Sequence, residues 1–365
     1  YAKKSEGLDM IKPNFIIELD PENKLNFLKL PPNEKTHDLI LELKDKKTAG
    51  LILLSSGSTG KPKAIVHDMS LLIRGLKPSK NKHKVISFLL FDHIGGINTT
   101  LNTLLSGNCL VVPETRTPKA VSQSIYQNQV DVLITSPSFL NLMLIGDSFK
   151  RSELKSLKQI NYGSEVMPAT LIRRLVEILP HTKFIQTYGL SELGVIQTRT
   201  SNQASNLIDI VDKNLKYRIR NNMLEIQSSN SMLGYLNAPA PFTEDGWFMT
   251  GDVVEVIDGS LRILGRNSEV INVGGEKIFP AEVENIILQL TEVEDVSVSG
   301  EKNLILGNII VAHIKLKFDI NHAAFKNSVR QFCRKRMPSF KVPQKIKIVQ
   351  NIHYGERFKK IRTPI

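Results

Sequence analysis

Nine consecutive residues, Ser55-Ser56-Gly57-Ser58-Thr59-Gly60-Lys61-Pro62-Lys63, follow an apolar run at 51–54. Glycines let backbone N–H groups approach an anion, hydroxyls add donors and two lysines add charge, so this is a phosphate cradle rather than a flexible Ser/Gly loop. It is not a Gly-x-x-x-x-Gly-Lys-Ser/Thr loop, because Pro62 follows Lys61. A second group, Tyr188-Gly189-Leu190-Ser191-Glu192, follows the apolar run at 183–186. The end of a parallel strand is where such sheets bind ligands. A hydroxyl, an aromatic face and a carboxylate there suit phosphate, a base and Mg²⁺ respectively; taken alone, the segment also reads as a surface turn. A third group is Thr250-Gly251-Asp252 with Gly265-Arg266. A carboxylate such as Asp252 can accept from both hydroxyls of a ribose, and a guanidinium such as Arg266 can hold ribose or phosphate. A hairpin turn and a surface charge are the plainer readings of that pair.

These groups need a scaffold, and the hydrophobic pattern supplies one. Runs at 51–54, 85–90, 110–112, 130–135 and 183–186 read as strands, with helices at 97–105, 121–127, 137–144 and 169–179. Strands spaced by helices imply crossover connections, hence an α/β fold with a mixed or mostly parallel sheet and flanking helices. From about 215 to 264 the texture changes to short strands at 217–220, 223–227, 253–257 and 261–264, with the turn pairs Asn221-Asn222 and Asp258-Gly259. This is a small antiparallel β region. Beyond Gly265-Arg266, helix 280–290, strands 293–298 and 308–317, helix 323–337 and strand 345–349 form a separate small α+β C-terminal domain. The division therefore falls between residues 1–265 and 266–365.

At 365 residues the chain has room for two or three domains and a large core. Its 41% hydrophobic and 23% charged residues exclude wholesale disorder. The longest apolar runs, at 85–90 and 304–312, stop short of the roughly 18 residues a membrane span needs. Two lone cysteines, Cys109 and Cys333, exclude a disulfide scaffold and a Cys-rich zinc module, and suit a cytoplasmic, reducing setting. The net charge of +12 is unevenly distributed: residues 321–365 hold twelve Lys/Arg against one acid, Glu356. Such a block points to nucleic acid, an acidic partner or a phosphorylated ligand, or simply to a solubilising face.

The order and spacing of these groups resemble the adenylate-forming superfamily, which comprises acyl- and aryl-CoA synthetases, amino-acid adenylation domains and beetle luciferases. Four landmarks carry the resemblance. They are the Ser/Thr/Gly-Lys-Pro-Lys loop, Tyr-Gly-x-Ser-Glu, Thr-Gly-Asp, and Gly-Arg followed by Gly275-Glu276-Lys277-Ile278 and Pro280-Ala281-Glu282-Val283-Glu284. It spans roughly residues 48 to 362.

The resemblance implies that Ser55, Ser56, Gly57, Ser58, Thr59, Gly60, Lys61 and Lys63 receive the ATP β- and γ-phosphates. By the same likeness Gly163, Ser164, Glu165, Tyr188 and Gly189 border the adenine. Ser191 touches the α-phosphate, Glu192 binds Mg²⁺, Asp252 holds the ribose and Arg266 lies between ribose and phosphate. His93, in Phe91-Asp92-His93-Ile94-Gly95-Gly96, falls where an aromatic or His gates the acyl pocket; a satisfied core histidine is the alternative. The family's C-terminal Gly-Lys-x-x-Arg corresponds to Phe358-Lys359-Lys360-Ile361-Arg362, which makes Lys359 the catalytic choice and Lys360 its rival. Lys277 would face the site in a second arrangement of a mobile 266–365 domain, turned about a hinge near Ser268.

The implied reaction is ATP-dependent activation of a small carboxylic acid to acyl-AMP, then transfer to a thiol, most simply CoA. Because a carboxylate is already ionised, the chemistry needs charge balance and positioning rather than a general base. The front of the chain departs from the family: only 54 residues precede the phosphate loop, so the expectation is a 1–265 nucleotide- and carboxylate-binding domain shortened at its start. Three alternatives stand beside this reading. One is an amino-acid adenylating enzyme serving an acidic carrier protein, with Asp92 on the substrate amine. Another is a non-catalytic nucleotide-binding remnant. A third, nucleic-acid binding through the basic block, has no recognised motif behind it.

Overall fold

The computed structural model describes residues 8, 10–20, 22, 24–31, 36–55, 62–74, 76–146, 149, 153–200 and 206–362. Five parallel strands lie in the order Cys109–Val111, Lys84–Ile86, Val132–Thr135, Gln159–Tyr162 and Lys183–Gln186. Helices Ile94–Leu105, Pro118–Asn128, Pro137–Ile145 and Ala169–Ile178 connect them, as the alternating pattern requires. Local chemistry starts two of these helices sharply. Thr117 and Ser136 cap them through side-chain oxygens, each followed by proline at the first helical position. One face of the sheet buries Ile86, Leu133, Ile160 and Phe184 against Phe139, Leu140, Ile172 and Leu175 of the helices. Its other face, carrying Val132, Ile134, Gln159 and Asn161, borders a cleft.

The strand expected at 51–54 is Gly50–Ser55, paired antiparallel with Lys63–Asp68, so the phosphate-type loop joins two strands of a hairpin. A six-stranded antiparallel sheet holds Thr198–Thr200, Leu207–Ile210, Ser260–Arg266, Phe248–Ile257, Met223–Ser228 and Leu215–Arg220 in that order. Its turns are two-residue and left-handed, Asn221-Asn222 at φ 50° and 61° and Asp258-Gly259 at φ 49° and 82°, which matches the twist of tight hairpins. The C-terminal block has its own sheet and its own core, centred on Ile287, Val296, Val298, Ile310, Ile314 and Val329. A single 3₁₀ turn, Asn267–Glu269, containing Ser268, leads into it.

Boundaries differ from the sequence reading where side chains intervene. The helix expected at 97–105 begins at Ile94, because His93 caps it and Gly96 packs so closely that a Cβ would lie 2.2 Å from Leu90 O. The strand expected at 85–90 is only Lys84–Ile86. No helix among the described residues is long and apolar enough to cross a membrane.

Candidate active site

The nucleotide-type residues converge from three sheets. Asp252 and Arg266 are direct cross-strand partners on Phe248–Ile257 and Ser260–Arg266, with Arg266 Nε 3.3 Å from Asp252 Oδ1. Tyr188 Oη donates to Asp252 Oδ2 at 2.6 Å, and Asp252 is only 5% exposed. Burial pushes the Asp252 carboxyl up, against the pull of Arg266 and the Tyr188 hydroxyl. Burial, followed by the Asp252 charge, drives the Tyr188 phenol well above its ordinary value, so Tyr188 stays a donor. The Tyr188–Leu190 strand turns back through Ser191 to Gly194–Ile196. This loop is fixed by His67, whose Nε2 donates to Ser191 O at 2.7 Å. Glu192 Oε1 accepts from Tyr235 Oη at 2.8 Å; its second oxygen has no partner among the described residues. That donor set fits Mg²⁺, which takes one or two carboxylates and completes its shell with water and phosphate oxygens. Among the described residues no cluster of three His, Cys, Asp or Glu could hold a metal without such help.

Of the phosphate-type loop, Ser55 and Lys63 face each other at the mouth of the hairpin. Ser56, Gly57, Ser58, Thr59, Gly60 and Lys61 lie outside the described residues. Asn237 fixes the loop's exit: its Oδ1 accepts from Ala64 N–H and its Nδ2 donates to Pro62 O, both at 2.9 Å. Lys63 lies 5.0 Å above the Tyr235 ring.

A cleft of about 340 Å³ opens between the parallel sheet and helix Ile94–Leu105. Gly163, Ser164, Tyr188, Gly189 and His93 line it together with Lys359. Gly163 has to be glycine, since a Cβ would sit 2.5 Å from Thr187 Oγ1 and 2.6 Å from Thr187 O. Ser164 adopts φ 70°, a conformation uncommon outside glycine and often found at functional sites. His93 accepts from Gly95 N–H through Nδ1 at 3.0 Å, which leaves its proton on Nε2. Burial, reinforced by Lys359 and Arg357, lowers this imidazole to about 4, so it is neutral near pH 7. His93 is therefore both a helix cap and a donor at the cleft, rather than a satisfied core residue.

The C-terminal segment reaches this cleft from the other domain. Lys360 forms a buried ion pair with Asp295 at 2.7 Å, donates to Val296 O and, through its backbone N–H, to Glu165 Oε1. Asp295 also accepts from Tyr354 Oη. Arg362 binds Glu284 with two hydrogen bonds of 3.0 and 3.1 Å and pairs with Glu269 in the 3₁₀ turn Asn267–Glu269. Burial would raise Glu284, but Arg362 and Lys360 outweigh it and hold the carboxyl below its ordinary range. With Lys360 tied down, Lys359 extends into the cleft. Loss of solvation lowers its ammonium first; Arg266 and Arg357 push the same way, while Glu165 and Glu269 oppose.

Phe358, where the family pattern has glycine, adopts φ 56°. Its ring packs on Phe139 at 4.7 Å and Phe88 at 6.1 Å between centroids, with the Arg116 guanidinium 4.9 Å away. The backbone thus keeps a glycine-like shape, and a side chain offsets the strain by anchoring one domain in the core of the other.

Two expected residues sit differently. Lys277 is exposed on the Ile271–Val273/Glu276–Ile278 hairpin, whose turn is made by Gly274 and Gly275 at φ 57° and 93°, and it does not line the cleft. The Glu165 carboxylate is engaged by Ser138 N–H and Lys360 N–H rather than left free. Sequence reasoning missed Tyr235, Asp295 and Arg357, which pairs with Asp92 at 3.0 Å. Tyr235 and Asp295 act through long-range contacts; only Arg357, beside the Lys359 motif, had a local signal.

Known structures share this fold. The ATP-bound MatB of Rhodopseudomonas palustris superposes with a TM-score of 0.74 at 19% identity, over 93% of this chain and 72% of that one. The amide bond synthetase McbA of Marinactinospora thermotolerans gives 0.72 at 19%, over 83% and 65%. The fold is that of the adenylate-forming enzymes. In sequence, the profile of the AMP-binding enzyme family matches residues 2–227 and that of the AMP-binding enzyme C-terminal domain matches 282–354, so the chain belongs to the AMP-binding enzyme family. Relatives include an indoleacetate–CoA ligase of Aromatoleum aromaticum, 26% identical over 82% of this chain and 63% of its own length. A 2-succinylbenzoate–CoA ligase of a Geobacillus species is 26% identical over 82% and 65%. The chain thus spans a little under two thirds of the length of these relatives.

Proposed function

We propose that the protein activates a carboxylic acid with ATP and passes the acyl group to CoA, in the cytosol. In the first step a carboxylate oxygen of the acid bonds to the α-phosphorus of ATP while the bond to the β-phosphate breaks, giving acyl-AMP and pyrophosphate. In the second, the CoA sulfur bonds to the acyl carbon, AMP leaves and the thiol proton goes to solvent. The observation that carries this reading is that Lys359 shares one cleft with His93, Gly163 and Tyr188, and Tyr188 in turn binds Asp252.

In this scheme Asp252 takes the ribose hydroxyls, and Arg266, oriented by Asp252, faces ribose and phosphate. Ser55 and Lys63, with residues 56–61, receive the β- and γ-phosphates. Mg²⁺ on Glu192 would neutralise phosphate charge. Lys359 balances the charge that builds as two anions meet, an electrostatic role in a site low in water. His93, neutral and donating from Nε2, orients the acid without adding a charge. The domain 266–365 then turns about Ser268, withdrawing Lys359 and bringing Lys277 to the site. The uncommitted basic residues of 321–365 meet the phosphates of CoA.

The naming of relatives as CoA ligases supports CoA over a carrier protein as acceptor. Against amino acids, Asp92 is exposed and already paired with Arg357, which leaves it a poor partner for a substrate amine. The test is acid-dependent exchange of pyrophosphate into ATP, followed by loss of free CoA thiol as thioester forms and AMP is released. Nucleotide binding without exchange would identify a non-catalytic remnant instead.

A further inference from the structure

The cleft is more polar than the fold requires, and its lining bears on which acid a carboxylate-activating enzyme of this shape would take; the choice of acid rests on that proposed activity. A parallel sheet covered on both faces is normally apolar on both. Here Leu133 and Ile160 keep that rule on one face. On the cleft face Val132 and Ile134 lie in register beside Gln159 and Asn161, with Gln159 Nε2 donating to Asn161 Oδ1 at 2.8 Å. Across the cleft, helix Ile94–Leu105 presents Asn98 and Asn102, four residues apart on one helical face. The Asn98 amide has no hydrogen-bond partner among the described residues. His83 Nδ1 and Thr135 Oγ1 are buried and also unpartnered. Buried polar atoms left unpaired carry a desolvation penalty that a ligand can remove.

The positions of these groups set a length. Thr135, Gly163 and Thr187 stand at the C-terminal ends of the strands, the end that Lys359 reaches. Val132, Gln159 and His83 stand at the opposite ends, three strand residues or about 10 Å away. The helix agrees: from His93 to Asn102 is nine residues, about 13 Å. No Asp or Glu lines the cleft among the described residues, so it offers no carboxylate to pair with an ammonium group.

We propose that the acid is an oxygenated one, carrying a hydroxyl, oxo or second carboxyl oxygen about 10 Å from the activated carboxylate. That oxygen exchanges hydrogen bonds with His83, Asn98, Asn102 and Gln159. Saturated fatty acids and amino acids are poor substrates.

Matched acids test this: octanoate against its ω-hydroxy form, phenylpropanoate against its para-hydroxy form, and ω-aminooctanoate as the cationic control. Each is measured by calorimetric binding and by pyrophosphate exchange. We expect the oxygenated member of each pair to lead by at least about tenfold in both. In Asn98→Leu and Gln159→Leu, chosen as two sites so that one misfolded variant does not decide the matter, the ratio should fall toward one. Equal performance of the hydrocarbon members in the parent protein, or preference for the amine, overturns the inference while leaving the activation reading intact. Oxygenated acids that bind preferentially without any exchange keep the inference and overturn the activation reading. Failure of every acid to bind overturns the inference.

Discussion

His93 illustrates how one residue carries both structure and chemistry. Its folded value of about 4 lies below the ordinary 6.5, so the unfolded chain takes up a proton that the folded one refuses. The stability this imparts is present above pH 6.5 and is lost as pH falls from 6.5 toward 4. The urea midpoint should drop across that window, and drop less in His93→Asn, which can still cap the helix. Identical slopes would place the effect elsewhere. Asp252→Asn keeps the shape but removes the charge, so AMP affinity should weaken by about 1.5–3 kcal/mol in calorimetry while the fold persists. Asp252, Arg266 and Glu192 were legible as candidates because each sits in a short run that resembles a family landmark, and the fold brings Asp252 and Arg266 together. Tyr235, which orients Glu192 from 43 positions away, was not, since cross-sheet contacts leave no local signature.

At the scale of elements, the C-terminal segment is held by side chains rather than by strands. Phe358 sits at φ 56°, where alanine is strained and glycine is not. Phe358→Ala therefore loses the ring contacts and keeps the strain, whereas Phe358→Gly loses only the contacts. The glycine variant should be the more stable of the two by about 1 kcal/mol in urea unfolding, the reverse of the usual order within helices. Asp295→Ala strands the Lys360 ammonium in a buried place and should cost about 3–5 kcal/mol, because removing one partner of a buried pair leaves an uncompensated charge. The sequence favoured Lys359 over Lys360 only by its spacing to Arg362; the Lys360–Asp295 pair and the place of Lys359 in the cleft support the same choice. Much of the strand and helix order followed from periodicity, but strands Lys63–Asp68 and Gln159–Tyr162 were not read from it. Boundaries such as 94 rather than 97 depended on a histidine cap and a glycine contact that periodicity does not register.

Over the whole molecule, charge is less lopsided than its distribution along the chain. Of the twelve basic residues in 321–365, five (Lys341, Lys345, Arg357, Lys360 and Arg362) pair with acids from earlier segments. Among the others, Lys326, Arg330 and Arg334 are spaced by four along helix His322–Arg334 as a basic stripe. Reversing all three to glutamate should raise the KM for CoA, most at low salt, and leave pyrophosphate exchange near the parent rate. Equal KM values in parent and variant at low salt would remove the stripe from CoA binding.

The central claim is that this cleft forms acyl-AMP with Lys359 balancing the charge. The most direct measurement is acid-dependent pyrophosphate exchange in the parent protein, Lys359→Ala and Lys360→Ala, with thioester formation from ready-made acyl-AMP assayed beside it. Lys359→Ala should slow exchange about a thousandfold, the equivalent of about 4 kcal/mol, and still make thioester near the parent rate. Lys360→Ala should lose stability, and its exchange should recover at temperatures where it stays folded. Undiminished exchange in Lys359→Ala, or equal loss of both half-reactions, would contradict the account.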